Sequence, residues 1–175
     1  MTMKAQMKVK SLPKKVSASI AQLCRLAVRL RGFVKRDPFG ARDIERISPM
    51  ESPMRMYKEV SALGMGLAAL RGGEWSEDDY HILSKICLDA APSWRTEVVL
   101  HLYKFKEVFR ATDDIGISLN RPTRSIRIVL EDLECYGIVD RAKIKEGTAH
   151  QWRLSAQAAE MLSHLDPAGQ QTPPM

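Results

Sequence analysis

Apolar residues return at three- and four-residue steps through most of this 175-residue chain. That spacing lines them along one side of an α-helix. The first such run is Ile20, Leu23, Cys24, Ala27, Val28 and Leu30, with Arg25 and Arg29 on another face. Ser17 or Ser19 is suited to cap this helix and Gly32 to end it. Residues 37–53 hold three prolines and a glycine and read as a linker or extended loop. Ser52 followed by Pro53 marks the next helix start, because serine caps and proline fits the first turn. That helix runs to about Leu70, with Met54, Tyr57, Val60, Ser61, Gly64, Leu67 and Ala68 as its inward face. Ala62, Gly64, Gly66, Ala68 and Ala69 are small enough for another helix to approach, and Arg71-Gly72-Gly73 stops the element. Ser76-Glu77-Asp78-Asp79 has the layout of a capping box, with Asp in place of Glu. It opens a helix over 77–90 that packs through Tyr80, Leu83, Ile86, Cys87 and Ala90. After a break at Ala91-Pro92-Ser93, a further helix over 94–106 uses Val98, Val99, Leu102 and Phe105.

From Thr112 the elements shorten. Thr112 is a natural N-cap for a helix over 113–119, with Asp113 and Asp114 in the first turn, where the helix dipole favours acids. Ile115 and Leu119 face inward, and Asn120-Arg121-Pro122 makes a turn. A second helix over 122–136 follows, with Ile126, Val129, Leu130 and Leu133 as its apolar stripe and Gly137 as a left-handed cap. The period then falls to two. Ile138-Val139 opens a strand with Arg141 and Lys143 pointing outward, Lys145 to Thr148 is turn chemistry, and His150, Trp152 and Leu154 alternate on the return strand. Ser155 caps a last helix over 156–165 that packs through Ala158, Met161, Leu162 and Leu165. The expected fold is mainly α: a helical region over 17–92, then a winged helix-turn-helix domain over 93–165 with a small β-hairpin wing. Residues 1–16 read as a flexible basic tail and residues 166–175 as a disordered one.

Charge sharpens this picture. The chain has 27 Lys/Arg against 21 Asp/Glu, a net charge of +6. Residues 1–46 hold 12 of those cations and 3 acids, whereas residues 93–175 balance at 11 of each. In the balanced region charge is clustered instead. Arg121, Thr123, Arg124 and Arg127 oppose the apolar stripe at the start of the 122–136 helix, and Glu131, Asp132 and Glu134 occupy its second half. Arginine can donate two hydrogen bonds to guanine O6 and N7, or neutralise a phosphate. Recognition helices read bases with their N-terminal residues. The helix is therefore expected to enter a DNA major groove by its N-terminal end and to keep its acidic end away. Arg141, Lys143, Lys145 and Arg153 on the wing would lie on the backbone. DNA is the expected partner, and the basic tail would add non-specific affinity.

Other chemistry is sparse. Cys24, Cys87 and Cys135 are far apart and form no CxxC pair, which reads as reduced core thiols. The four histidines show no ligand spacing, so neither a metal nor another cofactor is expected. No Ser/His/Asp or Cys/His set has a recognisable spacing. Asp78/Asp79 and Asp113/Asp114 are better explained as helix-start acids than as catalytic pairs, so an enzyme is not expected. No apolar run approaches the ~20 residues of a membrane span, and a cytoplasmic location is the expectation.

The order Pro53-Met54-Arg55-Met56, then Gly66 to Gly72, then Trp75 to Leu83 resembles the C-terminal part of AAA+ ATPases and helicases related to the minichromosome-maintenance type. Members of that family carry a helical lid with a proline–x–arginine element, an alanine-rich helix, an acidic cap on the next helix and a winged helix at the end. The resemblance covers roughly residues 20–155. It implies that Arg55 matches the lid arginine that contacts nucleotide phosphate, here in a site supplied by another chain. The chain has no GxxxxGKS/T phosphate loop and no acidic pair after a strand to hold Mg²⁺, so it is not expected to hydrolyse ATP alone. Two functions follow as expectations. One is a non-enzymatic DNA-binding winged-helix protein whose N-terminal helices self-associate or dock on a partner. The alternative is a regulatory or interaction module of a split or truncated ATPase, partnered by the ATPase core.

Overall fold

The computed structural model describes residues 11–39, 42–105, 108–142 and 150–165. Seven helices and two small antiparallel sheets make up these residues: α1 (Lys14–Leu30), β1 (Val34–Arg36), β2 (Ile44–Ile47), α2 (Pro53–Leu70), α3 (Glu77–Asp89), α4 (Ser93–Lys104), β3 (Arg110–Ala111), α5 (Thr112–Ser118), α6 (Thr123–Cys135), β4 (Val139–Arg141), β5 (Gln151–Leu154) and α7 (Ala156–Ser163). The mainly helical class is as expected. The first sheet is β1 beside β2, and the second has the order β3-β5-β4.

Two apolar clusters hold the helices together. In the first, Ile20, Leu23, Cys24 and Ala27 of α1 meet Met56 and Val60 of α2 and Tyr80, Leu83 and Cys87 of α3. In the second, Val98, Val99 and Leu102 of α4 meet Ile115 of α5, Ile126, Val129, Leu130 and Leu133 of α6, Trp152 of β5, and Met161 and Leu162 of α7. Leu26 and Leu30 of α1 also belong to this second cluster. One long helix thus has a stripe wide enough to serve both cores, so the segments on either side of Pro92 pack through α1.

Where local chemistry decides, the elements start and stop as the sequence predicts. Ser52 accepts from the Met54 N–H with Pro53 at the first helical position. Ser76 and Asp79 form a reciprocal capping box, each side chain accepting from the other residue's N–H. Gly137 has φ +65°, the left-handed turn that ends α6.

Several expectations need correction. α1 begins at Lys14, with Pro13 at the N-cap and no side-chain cap. It therefore takes in part of the expected tail, because Val16 packs against the first core. Ser17 and Ser19 cap nothing; their hydroxyls lie 2.6 Å from Tyr57 Oη and 3.1 Å from His164 Nδ1. Thr112 is the first residue of α5 rather than its cap. Its buried hydroxyl donates to the His150 carbonyl (3.2 Å) and accepts from Trp152 Nε1 (2.9 Å), tying α5 to the sheet. On α2 the buried positions are Met56, Val60, Gly64 and Ala68, while Met54 is exposed. Val60, Gly64 and Ala68 are thus inward as expected, with Trp75 and Leu83 close over Gly64, and Met56 rather than Met54 is buried. Gly32 follows α1 without a left-handed φ; a Cβ there would overlap the Tyr136 ring.

The largest departure lies within 37–53. This expected linker contains β2, which pairs with β1 through Val34↔Ile47, Lys35↔Arg46 and Arg36↔Ile44. All four residues of β2 are exposed, so no inward-outward alternation announced the strand. The Tyr136 hydroxyl lies 2.9 Å from both the Phe33 and Ser48 carbonyls and holds the base of this arm. Of the expected hairpin, the structure shows β4 paired antiparallel with β5. Its turn, with Lys143 and Lys145, lies outside the described residues, as do residues 1–10 and 166–175 of the expected tails.

Candidate nucleic-acid interface

α6 is amphipathic. Its stripe Ile126, Val129, Leu130 and Leu133 is buried, and Thr123, Arg124 and Arg127 stand exposed on the first two turns. These three residues line a cavity of about 510 Å³ together with Ile128, Glu131, Arg36 and Arg42. The two extra arginines come from the β1–β2 arm. Four arginines and one glutamate therefore border one concave surface.

The arm is held there by a buried ion-pair network. Asp132 Oδ1 accepts from Arg36 Nε (3.0 Å) and Nη2 (2.7 Å), and its Oδ2 accepts from Arg95 Nη2 (3.0 Å). Arg36 also donates to Glu131 (3.0 Å) and to the Ile128 carbonyl (3.3 Å). Arg95, on α4, donates to the Leu30 (2.9 Å) and Gly32 carbonyls at the end of α1. Carbonyls at a helix C-terminus carry partial negative charge, so a cation suits the place. Burial opposes the charge on Arg36, but the hydrogen bonds and charges of Asp132 and Glu131 outweigh it and hold the guanidinium above its usual pKa.

The acidic second half of α6 therefore has a different job from the one its position suggests. Asp132 is buried among arginines, Glu131 is shared between Arg36 and Arg127, and Glu134 pairs with Arg141 at 3.2 Å. These acids anchor the arm, the core and β4, and so are not a free surface kept away from a partner.

The expected contact residues divide into groups. Thr123, Arg124 and Arg127 are brought together, with Arg127 also paired to Glu131 at 3.0 Å. Arg124 has no ion-pair partner among the described residues. Arg121 is separate: it pairs with Glu97 of α4 at 3.2 Å and lines another recess with Trp94 and Ser125. On the sheet, Arg141 lies 5.6 Å over the Trp152 ring, and Arg153 pairs with Asp140 at 3.4 Å and lies over Phe109. Arg55 sits on the first turn of α2, 82% exposed, and forms an i,i+4 pair with Glu59 at 3.2 Å.

Arg36, Arg42 and Arg95 were not singled out by the sequence. A signal existed for Arg95. It stands three and four positions before Val98 and Val99 and seven before Leu102, on the apolar face of α4, where a charge needs a buried partner. Nothing comparable marked Arg36 or Arg42. Among the described residues no group of three or more His, Cys, Asp or Glu is placed to hold a metal ion, and no helix is long and apolar enough to cross a membrane. No protein-family model matches the chain, and neither a curated protein nor a solved structure matches it.

Proposed function

We propose that this chain is a non-enzymatic DNA-binding protein of the winged-helix kind. In this reading α5 and α6 form the helix-turn-helix, α6 is the recognition helix, and β4 and β5 carry the wing. The observation that supports it is the convergence of Thr123, Arg124 and Arg127, all exposed on the first turns of α6, with Arg36 and Arg42 around one concavity. Guanidinium groups match phosphate and guanine with paired hydrogen bonds, and a helix fits the width of a major groove. The buried stripe of α6 lies opposite Thr123, Arg124 and Arg127, which are exposed. Arg141 and Arg153 would meet the flanking backbone.

A mobility-shift titration against duplex DNA tests this. Affinity should fall steeply between low and moderate salt, because each neutralised phosphate releases counterions. Replacing both Arg124 and Arg127 by Ala should weaken binding at least about tenfold. Equal binding by wild type and the double variant would reject α6 as the recognition helix.

A further inference from the structure

We infer that the β1–β2 arm is a second DNA-contacting element, in which Arg42 grips a backbone phosphate beside the groove that α6 enters. This rests on the DNA-binding reading above and extends it to a part of the chain outside the helix-turn-helix. Arg42 lines the same cavity as Arg124 and Arg127 although it stands about 80 positions earlier in the chain. Its place is not accidental to a loose loop. Its carbonyl accepts from Arg36 Nη1 at 3.0 Å, and Arg36 is itself fixed to Asp132 and Glu131 of α6. The arm is thereby bolted to the helix it would assist.

The backbone of Arg42 points the same way. Its φ is +60°, a left-handed conformation uncommon for a residue with a side chain, and the Arg36 hydrogen bond to its carbonyl helps hold it. The charges around the cavity leave an excess for an anion. Arg36 and Arg127 share Glu131, whereas neither Arg42 nor Arg124 has a carboxylate partner among the described residues. Arg42 and Arg124, neither with a carboxylate partner among the described residues, both line this cavity of about 510 Å³, and a phosphate would satisfy such guanidinium groups. Arg36 is a positioning residue in this scheme, since its donors are taken by Asp132, Glu131 and two carbonyls. Arg46 shares the arm but pairs in register with Lys35 and does not line the cavity.

The test is the salt dependence of duplex-DNA affinity for the full chain and three variants. Arg42→Asn removes the charge but keeps a residue that tolerates left-handed backbone, so folding is preserved. Losing one phosphate contact should lower the slope of log affinity against log salt by about 0.9. Arg124→Ala should lower it similarly, and Arg46→Ala should leave it unchanged. If Arg124→Ala lowers the slope and Arg42→Asn does not, the arm is no part of the interface and only this inference falls. If Arg46→Ala acts as strongly as Arg42→Asn, the arm contributes diffuse charge and the phosphate grip is rejected. If neither Arg124→Ala nor Arg42→Asn changes binding, the DNA-binding reading falls as well.

Discussion

Asp132→Asn is the substitution expected to damage this protein most for its size. Asp132 is 5% exposed and accepts three hydrogen bonds from two arginines, Arg36 and Arg95. Asparagine has nearly the same shape. Its carbonyl oxygen can keep the contact with Arg36, but its NH₂ group then faces Arg95, donor against donor. Arg95 is 5% exposed and would keep only the Leu30 and Gly32 carbonyls, a buried charge without a counter-charge. Removing one partner of a buried pair costs about 3–5 kcal/mol. The retained Arg36 contact places this case near about 3 kcal/mol, a large share of the 5–15 kcal/mol that separates folded from unfolded chains. For a chain of this length that corresponds to a fall in melting temperature of roughly 6–12 °C. Urea unfolding followed by circular dichroism gives the free-energy change, and a thermal scan gives the shift. Glu97→Gln serves as the control, because it breaks only the exposed pair with Arg121 and should cost about 0–1 kcal/mol. A loss below about 1 kcal/mol for Asp132→Asn, equal to the control, would refute the view that a desolvated network ties α1, α4, α6 and the arm together.

Three further outcomes follow from glycine and histidine positions. Gly32→Ala should destabilise by about 1–3 kcal/mol, because its Cβ would overlap the Tyr136 ring at the base of the arm. Gly66→Ala should instead stabilise by roughly 0.5–1 kcal/mol, since it is exposed within α2 with no atom within 4 Å of the new Cβ. Equilibrium unfolding of both variants, with shifts of the same sign, would contradict these packing assignments. His101 has its pKa lowered, first by burial and then by Arg110 and Lys104. The unfolded chain therefore binds a proton that the folded chain resists. Stability should fall as pH drops through about 6.5 toward the lower folded value, and His101→Phe should flatten that slope. An unchanged slope in unfolding measurements across that window would assign the acid sensitivity to other groups.

The sequence by itself determined the helices and most of their ends. Ser52-Pro53, the Ser76/Asp79 box and Gly137 act on backbone groups within a few residues, so their effect is written locally. The same holds for the buried stripe and exposed arginines of α6, because 3.6-residue periodicity fixes which side chains share a face. The candidate site was half legible for that reason: Thr123, Arg124 and Arg127 could be read, and Arg36 and Arg42 could not. Ser17, Ser19 and Thr112 show where local reasoning fails. Each could cap a helix, but each hydroxyl meets a distant partner instead, and only the packed chain brings that partner near. The arm leaves no mark in the sequence because an exposed strand such as β2 needs no apolar alternation. Tertiary structure alone decided that Arg36, Arg95 and Asp132 meet. They stand on three elements far apart in the chain, and a buried charge is tolerated only where its counter-charge arrives with it. That encounter turns the acidic half of α6 into an anchor and brings Arg42 to the same cavity as Arg124.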